Sequence, residues 1–460
     1  MNTKTLLPVF LFFSILTFVS LNIPFFWDGT FFSGLSVYFF ETGFHHFIAL
    51  PVNDTGAFPF FSIYLTIAWK CFGKSLAVSH LAILPFLFGI TYEYFKLANR
   101  FLNSKTIIFS MVLLMIEPVF ITQSILMGYD LFICYFFLLA LNSLYSNKKI
   151  LYAIILIFLS LMSIRGTMLM GSLFLFDLLK NRNIRFSLVK AYIPSLLLWI
   201  FWAIYHQQQT GWYIFSPIRE NNTEQFGDLK MLFRQLVYII WKNIDFGRIT
   251  LWLVFIYAII LQLKKKGMPK INELIQLIFI PLFVLSFFMI LIKNPIGHKY
   301  FLPIFLILNI AVCFVLEQFK DIKTKRTLFT LITISLIGGN FIVYPQRYGN
   351  GWDSSLKMIP YFNLNKEMKS YIKEKKIETK DIASQFPLTN NSNYSYLNDT
   401  CSFYTDIEKN PIESYRYFLY SNIINTNRIE DLTKIKKDWV PENSISRGAV
   451  VITLYRNPNF

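Results

Sequence analysis

The sequence predicts a polytopic α-helical membrane protein of about eleven transmembrane helices, followed by a small C-terminal α/β soluble domain. Three observations predict it. The 460-residue chain is 54% hydrophobic and only 15% charged, where a soluble domain carries about a quarter charged residues. Apolar runs of spanning or near-spanning length recur along the first 345 residues. Basic residues punctuate those runs in alternate loops, which is the pattern that fixes membrane topology.

The first run, 5–23, follows Lys4 as the core of a signal peptide would. It is long, and Asn22-Ile23-Pro24-Phe25 is no small-residue cleavage site, so it reads as a retained first span. Further runs fall at about 76–95, 106–122, 129–145, 150–164, 167–179, 187–205, 246–263, 272–292, 300–318 and 327–345, the pair within 150–179 being short. Between the first two runs, Phe31–Phe40 and Phe58–Trp69 are too short to span, aromatic-rich and broken by Gly and Pro. They predict interfacial helices within about 24–75. Residues 206–245 resemble that arrangement, with a polar loop (His206–Asp228) leading to a short helix that carries Arg234 and Lys242.

With Lys4 inside, 18 of the 28 Lys/Arg in residues 1–345 fall in short inner loops, and segments 24–57 and 122–129 hold none. The N-terminus is then cytoplasmic, and an odd number of spans places residues 346–460 outside. That tail turns rich in Asn, Ser, Tyr and charge, with a helical pattern at Asn365–Lys375 and strand-like runs at Tyr415–Ile423 and Gly448–Tyr455. The expected division is therefore a membrane domain, 1–345, and an extracytoplasmic domain, 346–460.

A net charge of +17 raises the question of nucleic acid. The excess is topological: residues 346–460 balance 16 basic against 13 acidic residues. Membrane lipid is the expected partner and nucleic acid is not. Cys71, Cys134, Cys313 and Cys401 lack the paired spacing of a disulfide framework or a zinc site, and three lie in apolar runs as small hydrophobes.

Ionisable groups near membrane depth are costly and mark candidate chemistry. Asp28 follows the first span, Asp130 opens the fourth, Arg165 lies at the turn between the fifth and sixth, and His298-Lys299-Tyr300 stands at the mouth of the tenth. The topology brings all of them to the outer face. A carboxylate there can deprotonate an acceptor hydroxyl, and cations can stabilise a phosphate leaving group. The competing structural roles are a helix cap or dipole partner for Asp130 and a turn for Asp28. His45-His46 with Asp54 could hold a divalent ion or serve as amphipathic packing. Glu117-Pro118 either faces the site or relieves a kink. Arg219, Glu220, Arg234, Lys242 and Arg248 meet either phosphate or lipid headgroups. Asn-X-Ser/Thr at Asn53, Asn221, Asn390, Asn393 and Asn398 is a chance pattern in an Asn-rich chain.

Several short motifs follow one another in a telling order. They are Phe26-Trp27-Asp28-Gly29, Asp54-Thr55-Gly56-Ala57-Phe58-Pro59-Phe60, Phe72-Gly73-Lys74-Ser75, Met127-Gly128-Tyr129-Asp130, Ile164-Arg165-Gly166-Thr167 and His298-Lys299-Tyr300-Phe301-Leu302-Pro303. With this order the chain resembles the GT-C superfamily of polyprenyl-phosphate-sugar-dependent membrane glycosyltransferases, on the branch of the aminoarabinose transferases and protein O-mannosyltransferases. The resemblance covers roughly the first two-thirds of the chain in layout. It implies a GT-C-type fold and an inverting transfer of a sugar from a polyprenyl-phosphate carrier to a lipid, glycan or protein acceptor on the outer face. It also implies Asp28 as the base and Asp130 as its support, with Arg165 and Lys299 on the lipid phosphate; Tyr300, Arg248 and Arg234 stand beside these as further candidate phosphate contacts. No metal ligand is assigned, although relatives differ in using a divalent ion.

The pattern departs from the family in places. Gly29 follows Asp28 where many mannosyltransferase relatives have a second acidic residue, and Lys299 replaces the more usual Arg, keeping the charge but losing the bidentate fork. Asp54 competes with Asp28 for the role of base. The alternative function is a transporter or flippase of a lipid-linked saccharide, against which stand the outer-rim crowding of the charges and the lack of repeated halves. Usage rich in Asn, Lys, Ile and Phe points to an AT-rich bacterial genome, hence the plasma (inner) membrane.

Overall fold

The computed structural model describes residues 5–48, 54, 56–181, 186–213, 228–265, 269–291, 296–343, 351–398, 404–407, 410–424 and 428–460. The helical part runs α1 (Leu6–Ser20), α2 (Gly29–Thr42), α3 (Phe60–Phe72), α4 (Leu76–Phe101), α5 (Ser104–Ile116), α6 (Pro118–Ile125), α7 (Asp130–Tyr145), α8 (Lys149–Met162), α9 (Ile164–Asn181) and α10 (Phe186–Thr210). It continues with α11 (Leu229–Ile244), α12 (Ile249–Lys265), α13 (Pro269–Leu291), α14 (Leu302–Gln318) and α15 (Ile322–Gly339).

Every apolar run read from the sequence falls on a helix. Four described helices are long and apolar enough to cross a membrane, six if the bent pairs α5–α6 and α11–α12 each count as one. The expected count of eleven is not reached by length and composition: α1, α7 and α8 are apolar but short, and α9 and α15 are not among the helices long and apolar enough to cross.

The bundle is organised around α14. All of its residues from Leu302 to Leu316 are buried, as befits a segment apolar on every side. Peripheral helices instead turn large apolar side chains outward, such as Leu7, Leu11, Ile15 and Phe18 on α1 and Phe283 and Phe287 on α13. Exposed stripes of that size suit lipid.

The two short aromatic stretches form α2 and α3, which pack on each other. Ser62 Oγ donates to the Phe32 carbonyl and Thr66 Oγ1 to the Ser36 carbonyl, both at 3.0 Å. Small hydroxyl residues let the backbones approach and tie them at once. Helix α11 meets α12 at 96°; Met231, Gln235, Ile239 and Lys242 face inward while Leu229, Phe233 and Ile240 are exposed. An amphipathic helix with its apolar side outward, set across a span, has the character of an interfacial element. Cys134 and Cys313 are buried as expected, but Cys71 is exposed near the end of α3, and Cys401 lies outside the described residues.

The C-terminal part folds round a five-stranded sheet of order β2-β1-β3-β5-β4. Its strands are β1 (Ile382–Ser384), β2 (Thr405–Asp406), β3 (Tyr417–Ser421), β4 (Val440–Arg447) and β5 (Val450–Arg456). The three-residue β1 pairs in parallel with β2 and β3, while β3, β5 and β4 are antiparallel. Helices α16 (Pro360–Glu374), α17 (Ser392–Tyr396) and α18 (Ile429–Asp438) complete it. Its core is continuous with Phe26, Trp27, Ile121, Ile125 and Leu126 of the helical part. Two backbone ties reinforce the junction: Phe25 N–H donates to the Ser395 carbonyl at 2.9 Å, and Ser33 Oγ donates to the Tyr394 carbonyl at 2.6 Å.

Two neighbouring glycines near the end of α15 test this packing. A Cβ on Gly339 would lie 2.0 Å from the Phe246 carbonyl oxygen, whereas one on Gly338 would meet nothing within 4 Å. Gly339→Ala is expected to destabilise the protein by roughly 2–4 kcal/mol. Gly338→Ala should be neutral or stabilise by about 0.5–1 kcal/mol. Thermal unfolding in detergent checks both; equal midpoints would contradict the close approach of α15 to the 246–247 turn.

Candidate functional site

The site is built where three chain segments meet at one end of the bundle. Between α1 and α2 the chain turns at Trp27, whose φ of 53° lies in the left-handed region. Phe26 and Trp27 are buried against the C-terminal part, which fixes Asp28 at the head of α2. A 3₁₀ turn, His298–Phe301, leads into α14 and carries Lys299. A second 3₁₀ turn, Trp352–Ser354, carries Asp353 from the C-terminal side.

Lys299 joins all three segments. Its Nζ lies 2.6 Å from Asp28 Oδ2 and 2.8 Å from Asp353 Oδ2. The lysine side chain is 5% exposed and that of Asp353 7%, but that of Asp28 is 33% exposed. Burying an ammonium is tolerated because two carboxylates face it. Asp28 is thus the carboxylate of this cluster that solvent, or an incoming hydroxyl, can reach.

Asp130 and Arg165 form a second ion pair beside the first. The Arg165 guanidinium stacks over the Tyr300 ring at 3.8 Å and lies 5.0 Å from the Tyr129 ring centroid, so aromatic faces hold its plane. Asp130 Oδ2 is buried without a hydrogen-bond partner. The short motif ahead of Asp130 has a mechanical reason. Met127 takes a positive φ of 54°, and a Cβ on Gly128 would come within 1.8 Å of Gln123 Oε1. Glycine there makes room for Gln123, whose Nε2 donates to the Asp353 carbonyl at 2.7 Å.

Behind this lies a deeper charged cluster. Arg248 is fully buried and pairs with Glu117, Nε donating to Oε1 at 2.9 Å. It also stacks over Phe305, 3.9 Å from the ring centroid. Glu117 has two functions: its Oε2 accepts from Phe120 N–H at 2.6 Å, capping α6 at the 53° break with Pro118 in the first turn, and its other oxygen holds Arg248. His298 Nε2 lies 2.9 Å from Asp245 Oδ2, and Lys242 lies within electrostatic reach of Asp245 and Asp353. This cluster braces the turn that presents Lys299.

Of the residues singled out in the sequence, Asp28, Asp130, Arg165, Lys299 and Tyr300 converge, and Arg248 sits in the cluster behind them. Asp54 goes elsewhere. Its Oδ2 meets His206 Nε2 at 2.8 Å, its Oδ1 accepts from Gly56 N–H at 2.9 Å, and His206 is fully buried. His45 and His46 are exposed and are not joined to it; among the described residues no group of three or more His, Cys, Asp or Glu could hold a metal ion. Arg234 is exposed on α11, and Arg219 and Glu220 lie outside the described residues. Sequence reasoning missed Asp353 and His206. Asp353 stands 54 positions beyond Lys299 in a soluble-looking tail, where an acidic residue gives no signal; His206 differs from other interfacial histidines only by its partner.

Replacing Lys299 by Met removes the cation that separates Asp28 from Asp353. A loss of about 3–5 kcal/mol is expected from leaving buried charge unpaired. In an Asp353→Asn background the same change should cost less, with a coupling of about 0.5–3 kcal/mol. A double-mutant cycle of unfolding midpoints measures it; additive effects would contradict the shared ion pair.

Comparison with known proteins bears on the fold. No protein-family model matches the sequence, and no curated protein resembles it in sequence. Among solved structures, ArnT from Cupriavidus metallidurans bound to undecaprenyl phosphate matches at a TM-score of 0.50 and 14% identity, over 70% of this chain and 61% of that one. The apo structure of the same protein gives 0.49 and 14%, over 71% and 62%. The chain spans about three-fifths of the length of these neighbours. Over the matched portion, the chain has the fold of ArnT.

Proposed function

We propose that this chain is an inverting membrane glycosyltransferase that moves one sugar from a polyprenyl-phosphate carrier to an acceptor outside the cytoplasm. The observation that carries this reading is the junction of a solvent-reached carboxylate, Asp28, with the buried Lys299 at the end of a bundle of ArnT type. ArnT has been solved with undecaprenyl phosphate bound, and a donor of that class brings a phosphate and a sugar to the membrane margin. In this reading residues 1–345 are the membrane domain, with about eleven spans, and the N-terminus is cytoplasmic. Residues 346–460 are extracytoplasmic, and the plasma (inner) membrane is the location.

The chemistry follows from the groups. Asp28 accepts the proton of the acceptor hydroxyl, whose oxygen attacks the anomeric carbon. The bond from that carbon to the carrier phosphate breaks, the configuration inverts, and polyprenyl phosphate leaves. Lys299 and Arg165 meet the charge that grows on the departing phosphate, in surroundings where little water competes. Because Lys299 is shared, an arriving phosphate draws Nζ away from Asp28 and frees the carboxylate to take a proton. Asp130 holds Arg165, and Tyr300 keeps its plane. The burial of Asp130 and Asp353 and the engagement of Asp54 with His206 favour Asp28 over the other carboxylates. Arg248 acts through Glu117 and Asp245 on the turn that carries Lys299, and Arg234 faces lipid headgroups.

Labelled polyprenyl-phosphate sugars in proteoliposomes, with acceptor glycan and lipid supplied, test the reading. Wild type should transfer the label, and Asp28→Asn should lower the rate by about 10²–10⁴-fold while still folding and binding donor. Equal rates would remove Asp28 from the role of base. Translocation of the lipid-linked sugar without transfer would replace the enzyme by a flippase.

A further inference from the structure

The bundle has a second end, remote from Lys299. Helix α7 starts at Asp130, beside the ion pairs described above, and stops at Tyr145; α9 carries Arg165 in its first turn and stops at Asn181. Helix α7 has 16 residues, which makes it about 24 Å long, not far short of a bilayer's hydrocarbon core. Tyr145 is the hub of a charged cluster at this end. The Arg100 guanidinium, near the end of α4, lies over its ring with Cζ 3.9 Å from the centroid, and Lys180 Nζ, near the end of α9, lies 4.2 Å from the same centroid. Tyr145 Oη donates to Glu273 Oε1 on α13 at 2.9 Å, and Lys180 Nζ donates to that same oxygen at 2.6 Å. Four helices are thus joined round one ring, and the two cations there face a single carboxylate.

Three features separate this cluster from cations that merely reach into water. Arg100 is exposed, and among the described residues no carboxylate or other acceptor engages its guanidinium. A ring against the flat face leaves the N–H edges open, because they lie in the guanidinium plane, and that fork matches a phosphate. Lys180 is 40% exposed, but Glu273 and the ring hold its Nζ in place, so both cations are set before a ligand arrives. The helices beneath them are apolar on the outside: Leu175 and Leu179 of α9 and Tyr92 of α4 are exposed. Lys105, Lys148, Lys149, Lys323 and Arg326 are exposed at the same end, where Asp321 is the exposed acidic side chain among the described residues. An anion meets a surface of opposite sign there, and an acyl chain meets apolar side chains.

We propose that Arg100, Tyr145 and Lys180 form a binding site for the headgroup of an anionic phospholipid. The phosphate sits on the Arg100 fork and the Lys180 ammonium, and the chains run along the exposed side chains of α4 and α9. The site is separate from the transfer reaction proposed above and stands whether or not that reading does. A lipid held there ties together the far ends of α7 and α9, the two helices whose opposite ends carry Asp130 and Arg165.

Binding can be measured without turnover. Full-length protein in detergent is titrated with dioleoyl phosphatidylglycerol or dioleoyl phosphatidylcholine, retained lipid is counted by native mass spectrometry, and thermal unfolding is recorded alongside. Wild type should retain phosphatidylglycerol in preference to phosphatidylcholine and unfold at a higher temperature with it. Arg100→Gln should weaken retention about tenfold, the worth of a charge-assisted fork on a phosphate. Arg100→Lys keeps the charge without the fork and should weaken it less. Lys323→Gln removes an exposed cation from the same end without touching the cluster and should change retention little. Arg100 and Lys323 are exposed, so all three variants should fold. Equal retention of the two lipids by wild type overturns the proposal. Equal losses in Arg100→Gln and Lys323→Gln overturn it too, because the charge of the whole end, and not the cluster, would then hold the lipid. Glycerol 3-phosphate bound as tightly as phosphatidylglycerol would do the same, since a free anion would then suffice.

Discussion

Lys299 is the point on which the architecture turns. One ammonium, almost withdrawn from water, is shared by Asp28 of the loop between α1 and α2 and Asp353 of the C-terminal part. Lys299 itself stands on the turn that opens α14, the most buried of the four helices long and apolar enough to span. A buried cation is tolerated only with its partners in place, so the loop, the central helix and the C-terminal part must assemble together. The apolar junction of Phe26 and Trp27 with Tyr361 and Phe362 supplies the packing that keeps them so.

The charges around Lys299 are graded by depth. Glu117 and Arg248 are fully buried and hold structure: a helix cap, a kink and the approach of α12. Asp130 and Arg165 lie nearer the surface, with aromatic rings fixing the guanidinium. Asp28 is the outermost. Such an order leaves Asp28 within reach of solvent while the charged groups that hold it in place are withdrawn from it. The same grading gives the C-terminal part a reason to exist, since without Asp353 the lysine would have one carboxylate less to balance it.

Much of this was legible in the sequence, for identifiable reasons. Hydropathy and loop charge find helices because lipid forces backbone groups to pair within each segment, and every run so found is helical here. Asp28, Asp130, Arg165 and Lys299 stood out because charge beside an apolar run is costly. The same logic could not separate Asp54 from Asp28. Both follow the first span, and what distinguishes them is a partner 152 positions away, His206. Nor could it find Asp353, whose importance comes from docking rather than from its neighbours in sequence. Length and composition alone do not reach the expected eleven spans, since helices such as α1, α7 and α8 are apolar but short. Cys71, expected to be buried, is exposed because it sits near the end of a short helix.

A structure of the protein in nanodiscs with polyprenyl phosphate bound would test the central claim most directly. The account predicts the phosphate within hydrogen-bond distance of Lys299 Nζ and the Arg165 guanidinium, with the contact between Lys299 and Asp28 lengthened. A phosphate seated on Arg234 or beside the Asp54–His206 pair, with Lys299 still bridging Asp28 and Asp353, would contradict it.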